Sequence, residues 1–364
     1  MKIAELIAVL EELAPPVYQE NYDNSGLLVG SFNAEITRAL VCLDCTEAVI
    51  DEAITRGANV IIAHHPIIFS GLKQLTGKNY IERTVIKAIQ NNIAIYALHT
   101  NLDNVLAGVN QKIGAQLGLK NLRILRPETN RLFKLVTFVP VSHTPNVLQA
   151  LFNAGAGHIG KYADCSFVVP GEGSFRATEG TKPFVGEHGK RHIEPENRAE
   201  VIVPVHKKSA VVKALLAAHP YEEVAYDLYT LQNQNQNSGA GGIGELAKPM
   251  AEADFLAFLK TAIQTNCIRH TRLLGKPISR VAFCGGSGSF LLKDAISAHA
   301  DVFITGDFKY HQFFDADEKI VIADVGHFES EQFTIDLLAD FLNEKIPIFA
   351  TLKTEVNTNP IAYL

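Results

Sequence analysis

The sequence predicts an α/β protein in two parts. Residues 1–130 and 233–364 form a split α/β domain with a mainly parallel sheet flanked by helices, and residues 131–232 form an inserted α+β domain of ferredoxin-like pattern. Three observations carry this prediction. Apolar runs without alternation, such as Val60-Ile-Ile-Ala63, are what a parallel sheet covered on both faces requires, and they alternate with helical stretches. Near residue 131 the order changes to one close to βαββαβ. After residue 242 the first alternation returns, so both outer segments are needed for one closed core.

Taken in order, residues 1–13 read as an amphipathic helix, and Glu5, Glu11 and Glu12 within it exclude a signal peptide. A polar turn follows at Tyr22-Asp-Asn-Ser-Gly26, where Asp23 and Asn24 are turn formers first and site residues second. Strand 39–43 leads to a helix over 46–55 with Thr46 as its N-cap. Strand 59–63 runs into His64 and His65, and a helix covers 80–91. Strand 93–98 ends in His99-Thr-Asn-Leu-Asp103 and is followed by a helix to about 117.

The insert reads as strand 134–139, helix 144–154, strands 165–169 and 200–204, helix 209–218 and strand 224–231. Residues 232–242, polar and glycine-rich, read as its exit linker. Beyond it come a helix over 253–263 and a strand over 281–284 that enters Gly285-Gly-Ser-Gly-Ser289. A helix over 290–299 precedes a strand over 302–304, which ends in Thr305-Gly-Asp307, with a short helix near Tyr310. Strand 320–323 ends in Asp324-Val-Gly-His-Phe-Glu-Ser-Glu331, which opens a helix to about 343, and strand 346–350 is last.

The chain has 364 residues, 47% of them apolar and 20% charged, as in a soluble globular protein of two to three domains. A net charge of -6 and a pI near 6.1 argue against a dedicated nucleic-acid binder. No apolar run has the roughly 18 residues of a membrane span. Five cysteines, an odd number and mostly within apolar runs, fit a reduced, cytoplasmic protein. Cys42-Leu-Asp-Cys45 has redox or zinc spacing, but no second pair completes it, so buried strand-end thiols are the favoured reading.

The chemistry gathers where strands end. With 13 histidines in the chain, an adjacent pair arises by chance in about every second sequence of this kind, so His64-His65 alone decides nothing. Three strands, however, finish in metal-ligating residues: His64-His65, His99 to Asp103, and His327 to Glu331. Carboxyl ends of parallel strands share one edge, where α/β proteins bind ligands. Extended backbone turns His64 and His65 to opposite sides, which suits two adjacent ions better than one. His327 and Glu331 lie one helical turn apart on one face, and Glu329, about 200° round from His327, is the weaker candidate. Taken alone, His327 and Glu331 also fit a helix start with a dipole-favoured acid.

Three imidazoles and the carboxylates of Asp103 and Glu331 exceed what one tetrahedral zinc needs and suit two divalent ions about 3.5 to 4 Å apart. Mixed nitrogen and oxygen ligands fit Zn, Fe, Mn or Co without choosing among them. The Gly285–Ser289 turn reads as a tight strand-to-helix turn before a phosphate site, since it lacks the P-loop lysine and the third dinucleotide glycine. Asp307 reads equally as a helix cap or as support for a metal ligand.

With these residues in hand, the chain resembles the Nif-three-like dinuclear metal centre family, also called the type 2 GTP cyclohydrolase I family. The matching motifs include Asp23-Asn-Ser-Gly26, Ile62-Ala-His-His-Pro66, His99-Thr-Asn-Leu-Asp103, Gly241-Gly-Ile-Gly-Glu-Leu246, Cys284-Gly-Gly-Ser-Gly288, Gly326-His-Phe-Glu-Ser-Glu331 and Asn357-Thr-Asn-Pro360. They run in family order through both outer segments. Residues 131–232, with His219-Pro-Tyr-Glu-Glu223, look like the PII/CutA-like insert of the longer bacterial members.

The resemblance implies metal ligands at His64, His65, Asp103, His327 and Glu331, the set already picked from the strand ends. Asp23, Asn24, His99, Thr100, Asp307 and Glu329 are candidates for supporting or substrate-binding roles. It also implies a toroidal homohexamer, two divalent ions per chain and a small-molecule substrate such as a nucleotide. The expected activity is that of a metal-dependent hydrolase using a metal-bridging hydroxide, which for the family's name is opening of the GTP imidazole ring. The alternative is a metal chaperone, insertase or regulatory adaptor without turnover.

Overall fold

In chain order the first segment folds into strands β1 (Gly26–Val29), β2 (Arg38–Asp44), β3 (Val60–His65), β4 (Ala94–Ala97) and β5 (Lys120–Glu128). The middle segment supplies β6 (Leu132–Pro140), β7 (Ser166–Arg176), β8 (Arg191–Pro204) and β9 (Tyr226–Leu231). The last supplies β10 (Asn235–Met250), β11 (Arg269–His270), β12 (Ile278–Ser287), β13 (Val302–Gly306), β14 (Val321–Asp324) and β15 (Ala350–Lys353). This computed structural model describes residues 1–364 throughout. The chain divides into two units, Met1–Pro127 with Asn237–Leu364, and Glu128–Gln236. No helix is long and apolar enough to cross a membrane.

The outer unit contains two mixed sheets where one was expected. The first has the order β1-β4-β3-β2-β15, with β15, β2, β3 and β4 parallel and β1 antiparallel at the edge. Helices Glu47–Arg56 and Tyr80–Gln90 bury Val49, Ile50, Val85 and Ala88 in a core with Leu40 and Ile61. Their starts are capped as the sequence suggests: Thr46 accepts from the Val49 amide and Asn79 from the Glu82 amide. The second sheet has the order β11-β14-β13-β12-β10-β5, with β12, β13 and β14 parallel.

Strand β10 occupies residues expected to be a linker. Glycine makes this strand fit: a Cβ on Gly242 would lie 2.3 Å from the Phe283 ring, and one on Gly244 would lie 2.8 Å from Leu122. Polar, glycine-rich composition here marks close strand packing, not a flexible tether. The last strand lies at Ala350–Lys353, four residues beyond the expected 346–350 start, and pairs in parallel with β2. The single helix expected to open within Asp324–Glu331 and run to about 343 is two helices, His327–Glu331 and Thr334–Lys345. Ser330 Oγ donates to the His327 carbonyl at 2.7 Å, a local bond that competes with a continuous helix.

The inserted unit has the antiparallel order β7-β8-β6-β9. With helices Thr144–Asn153 and Lys208–Ala218 between its strands, this is the βαββαβ arrangement of the ferredoxin-like pattern. The two helices close a core of Leu135, Val147, Leu151, Val201, Val211 and Leu215.

Candidate metal centre

Four strand ends of the outer unit contribute side chains to one cluster. His64 and His65 close β3, Asp44 closes β2 directly beside His65, and Asp103 ends the short helix Thr100–Asp103 after β4. His327 and Glu331 come from the helix that follows β14. The cluster thus draws on the carboxyl ends of strands in both sheets.

His64 is fully buried. Its Nδ1 lies 2.8 Å from the Leu98 carbonyl oxygen, which can only accept, so Nδ1 carries a proton and Nε2 is turned towards the cluster. That Nε2 has no hydrogen-bond partner, and neither does the buried Oδ1 of Asp103. The two atoms face each other at 3.7 Å, and Glu331 Oε1 is 3.6 Å from the same nitrogen. Three polar atoms that converge with no hydrogen bond between them are an arrangement that a cation among them would satisfy.

Glu331, almost wholly buried, is the centre of the group. Its Oε2 lies 3.0 Å from His65 Nε2 and 3.2 Å from His327 Nε2, and those two nitrogens are 3.3 Å apart. One nitrogen from each of His64 and His65 and one oxygen of Glu331 lie within 4.8 Å of one another. The expectation that the paired histidines point apart is therefore corrected: their ring centroids are 4.8 Å apart. Alternation fixes Cβ directions, but at a strand's end two imidazoles reach far enough beyond Cβ to meet.

The charges follow from these contacts. Burial alone would raise the Glu331 carboxyl, but the surrounding imidazoles of His64, His327 and His65 hold it well below the usual range. Burial disfavours charge on His65, yet Asp44 and Glu331 outweigh it and push the imidazole up to about 10. His327 likewise rises to about 9 under Glu331 and Asp307, against burial. Asp103 is driven up to about 7 by burial and by the Glu331 charge. The cluster thus draws protons onto nitrogens that a metal would use, so a metal must displace them.

The outward nitrogens of two imidazoles are anchored by carboxylates: His65 Nδ1 donates to Asp44 Oδ1 at 2.8 Å and His327 Nδ1 to Asp307 Oδ2 at 2.6 Å. Such bonds orient metal-binding imidazoles and aim Nε2 inward. Asp307 therefore acts on His327, and its own backbone takes a left-handed φ of 60° just after β13. Asp44 was absent from the candidates drawn from the sequence. It follows strand 39–43 as a single acid between Cys42 and Cys45, and only its pairing beside His65 marks its role. Thr358 Oγ1, in the C-terminal segment, donates to Asp44 Oδ2 at 2.8 Å.

The remaining candidates separate. His99 stands beside the cluster, its ring 5.5 Å from both His64 and His65, and its Nδ1 lies 2.7 Å from Asp23 Oδ1. Asp23 also receives the Thr100 amide and hydroxyl and the Ser25 hydroxyl, and these bonds with His99 hold its carboxyl well below the usual range despite burial. Asp23 and Thr100 thus place His99 and lie outside the cluster. Asn24 binds the Ile68 carbonyl. Glu329 turns away and accepts from Asn359 Nδ2 at 3.1 Å.

The glycine turn after β12 makes room for Glu331. A Cβ on Gly286 would lie 2.5 Å from Glu331 Oε1, and φ there is +60°. The amides of Gly285, Gly286 and Gly288 are taken by Asn110, Ser330 and Thr305, which leaves none of these three for a phosphate. Cys42 and Cys45 are buried free thiols, with Cys45 pushed up to about 12 by burial. A cavity of about 330 Å³, lined by His65, His99, His327, Phe69, Phe328 and Ile361 among others, opens onto the cluster.

Fold and cluster together define a class: an α/β protein with an inserted α+β unit and a buried histidine–carboxylate group able to hold a divalent cation. The sequence profile of the family described as Duf34/NIF3 (NGG1p interacting factor 3) matches residues 1–360. A Halalkalibacterium halodurans protein called GTP cyclohydrolase 1 type 2 homolog is 40% identical over the whole of both chains. One of the same name from Bacillus subtilis is 36% identical over 99% of this chain and 98% of its own. A crystal structure of a Bacillus cereus protein related to NIF3 superposes with a TM-score of 0.88 at 37% identity, covering 100% of this chain and 99% of that one. The chain belongs to the Duf34/NIF3 family.

Proposed function

We propose that the protein holds two divalent ions at His64, His65, Asp103, His327 and Glu331 and acts as a metal-dependent hydrolase. The observation that carries this reading is the pair of buried, unpartnered acceptors, His64 Nε2 and Asp103 Oδ1, beside a carboxylate within reach of three imidazoles. When bound, such ions acidify water and stabilise charge developing on an electrophilic carbon or phosphorus. The chain's own part is to fix the ligands. Leu98, Asp44 and Asp307 set the imidazoles of His64, His65 and His327, and Gly285 and Gly286 leave Glu331 space to reach all of them. Zn, Fe, Mn and Co all suit this donor set.

The relatives named GTP cyclohydrolase 1 type 2 homolog direct the substrate proposal towards a nucleotide. His99, next to the cluster and at the cavity, is placed to contact that substrate. The family resemblance supports a cytoplasmic hexameric ring as the working assembly. The test is an activity panel on metal-loaded protein against GTP, other nucleotides and phosphodiesters, with His64→Ala as control. Turnover that disappears in the folded variant supports the hydrolase. No turnover with any metal removes it and leaves the chaperone or adaptor reading.

A further inference from the structure

The inserted unit contains a cavity of its own, about 470 Å³, with none of the metal-centre residues in its walls. Phe138, Phe175, Phe184 and Tyr221 line it. The Tyr221 ring lies 6.1 Å from both Phe175 and Phe184 and is inclined to them by 57° and 48°. The three rings are inclined to one another and not stacked, and all three contribute to the cavity wall.

The polar part of the wall is lopsided. Glu172, Glu196, Glu222 and Glu223 stand against one guanidinium, that of the exposed Arg176. Glu196 matters most, because it is only 9% exposed and no ion pair reaches it. A cationic group entering the cavity would find in Glu196 an acceptor largely shielded from solvent. Beside it the Tyr221 hydroxyl is also buried and outside normal hydrogen-bonding geometry, its ionisation pushed up by burial and by Glu196.

The fold provides for this carboxylate. A Cβ on Gly173 of β7 would lie 2.0 Å from Glu196 Oε2, so the strand lacks a side chain where the acid sits. The segment His219-Pro-Tyr-Glu-Glu223 then completes the wall. His219 Nδ1 accepts from the Tyr221 amide at 3.1 Å, which leaves the proton on Nε2 for the Phe138 carbonyl at 2.9 Å. That imidazole is committed at both nitrogens, and burial holds its pKa down, so it supplies no counter-charge to Glu196.

We propose that this cavity is a second ligand site, for a small organic cation: an ammonium or guanidinium group on an apolar body, its charge beside Glu196 and its body against the aromatic rings. Cations bind strongly to desolvated aromatic faces, and four carboxylates disfavour phosphate-bearing ligands. The site is chemically opposite to a nucleotide pocket and shares no lining residue with the proposed metal centre.

Isothermal titration calorimetry of the full-length protein tests this, with benzyltrimethylammonium as probe and benzyl alcohol as its neutral counterpart. The expected result is saturable binding at one site per chain, at least about tenfold tighter for the cation. Glu196→Gln weakens it by about tenfold or more, as does Phe184→Ala at a half-exposed ring that can be removed without unfolding. His64→Ala leaves it unchanged. No saturable binding up to about 10 mM, equal affinity for benzyl alcohol, or unchanged affinity in both folded cavity variants would overturn the proposal.

Discussion

At His64 one nitrogen is committed to the fold, through Leu98, and the other faces Asp103 and Glu331 without a hydrogen-bond partner. His65 and His327 repeat the device with carboxylates in place of a carbonyl. Asp44 is thus a positioning residue, and Asp44→Asn is expected to keep the fold while lowering metal affinity by about 10- to 100-fold, read by competition with a chelator. Unchanged affinity would mean His65 needs no such anchor. His64, His65, Asp103, His327 and Glu331 were legible as a group because each follows a strand and each is a strong ligand type. Asp44 was not, because its partner is fixed by register between β2 and β3, and register is a property of pairing that a single strand's residues do not display.

Among the elements, β15 shows how the C-terminal segment is tied into the first sheet. It pairs with β2, and Glu52 on the helix Glu47–Arg56 accepts from the Thr354 hydroxyl and, at 2.9 Å, from the Glu355 amide. Arg56 adds bonds to Glu52 and to the Lys353 carbonyl. Burial opposes charge on Glu52, but these donors prevail and hold its carboxyl below the ordinary value. A carboxyl depressed in the folded state contributes stability above its unfolded value, near 4.5, and loses it as pH falls through the folded one. Solvent screening keeps that contribution below about 1 kcal/mol. Glu52→Gln should therefore destabilise modestly at neutral pH, and the difference in urea midpoint from the parent should shrink at about pH 3. An equal difference at both pH values would show that the Glu52 charge is not what ties β15.

The same scale explains where sequence reading ran out. Apolar runs such as Val60–His65 announced themselves, while β10 did not, since its glycines serve Phe283 and Leu122 in neighbouring strands. Glycine read locally means freedom; read with its neighbours it means close approach.

For the molecule as a whole, alternation of strands and helices was enough to predict a split α/β domain with an α+β insert. It did not reveal that the outer unit has two sheets, because the division depends on which strands pair across the chain, as β15 does with β2. The proposed metal centre would need both outer segments, with His64, His65 and Asp103 from one and His327 and Glu331 from the other, so metal binding would report on the folded outer unit as a whole. The most direct test is elemental analysis of the purified protein after loading with a divalent metal and removal of excess, alongside a folded Glu331→Gln variant. About two ions per chain in the parent, falling below about one in the variant, is the predicted result. Fewer than about one ion per chain in the folded parent would contradict the two-metal centre.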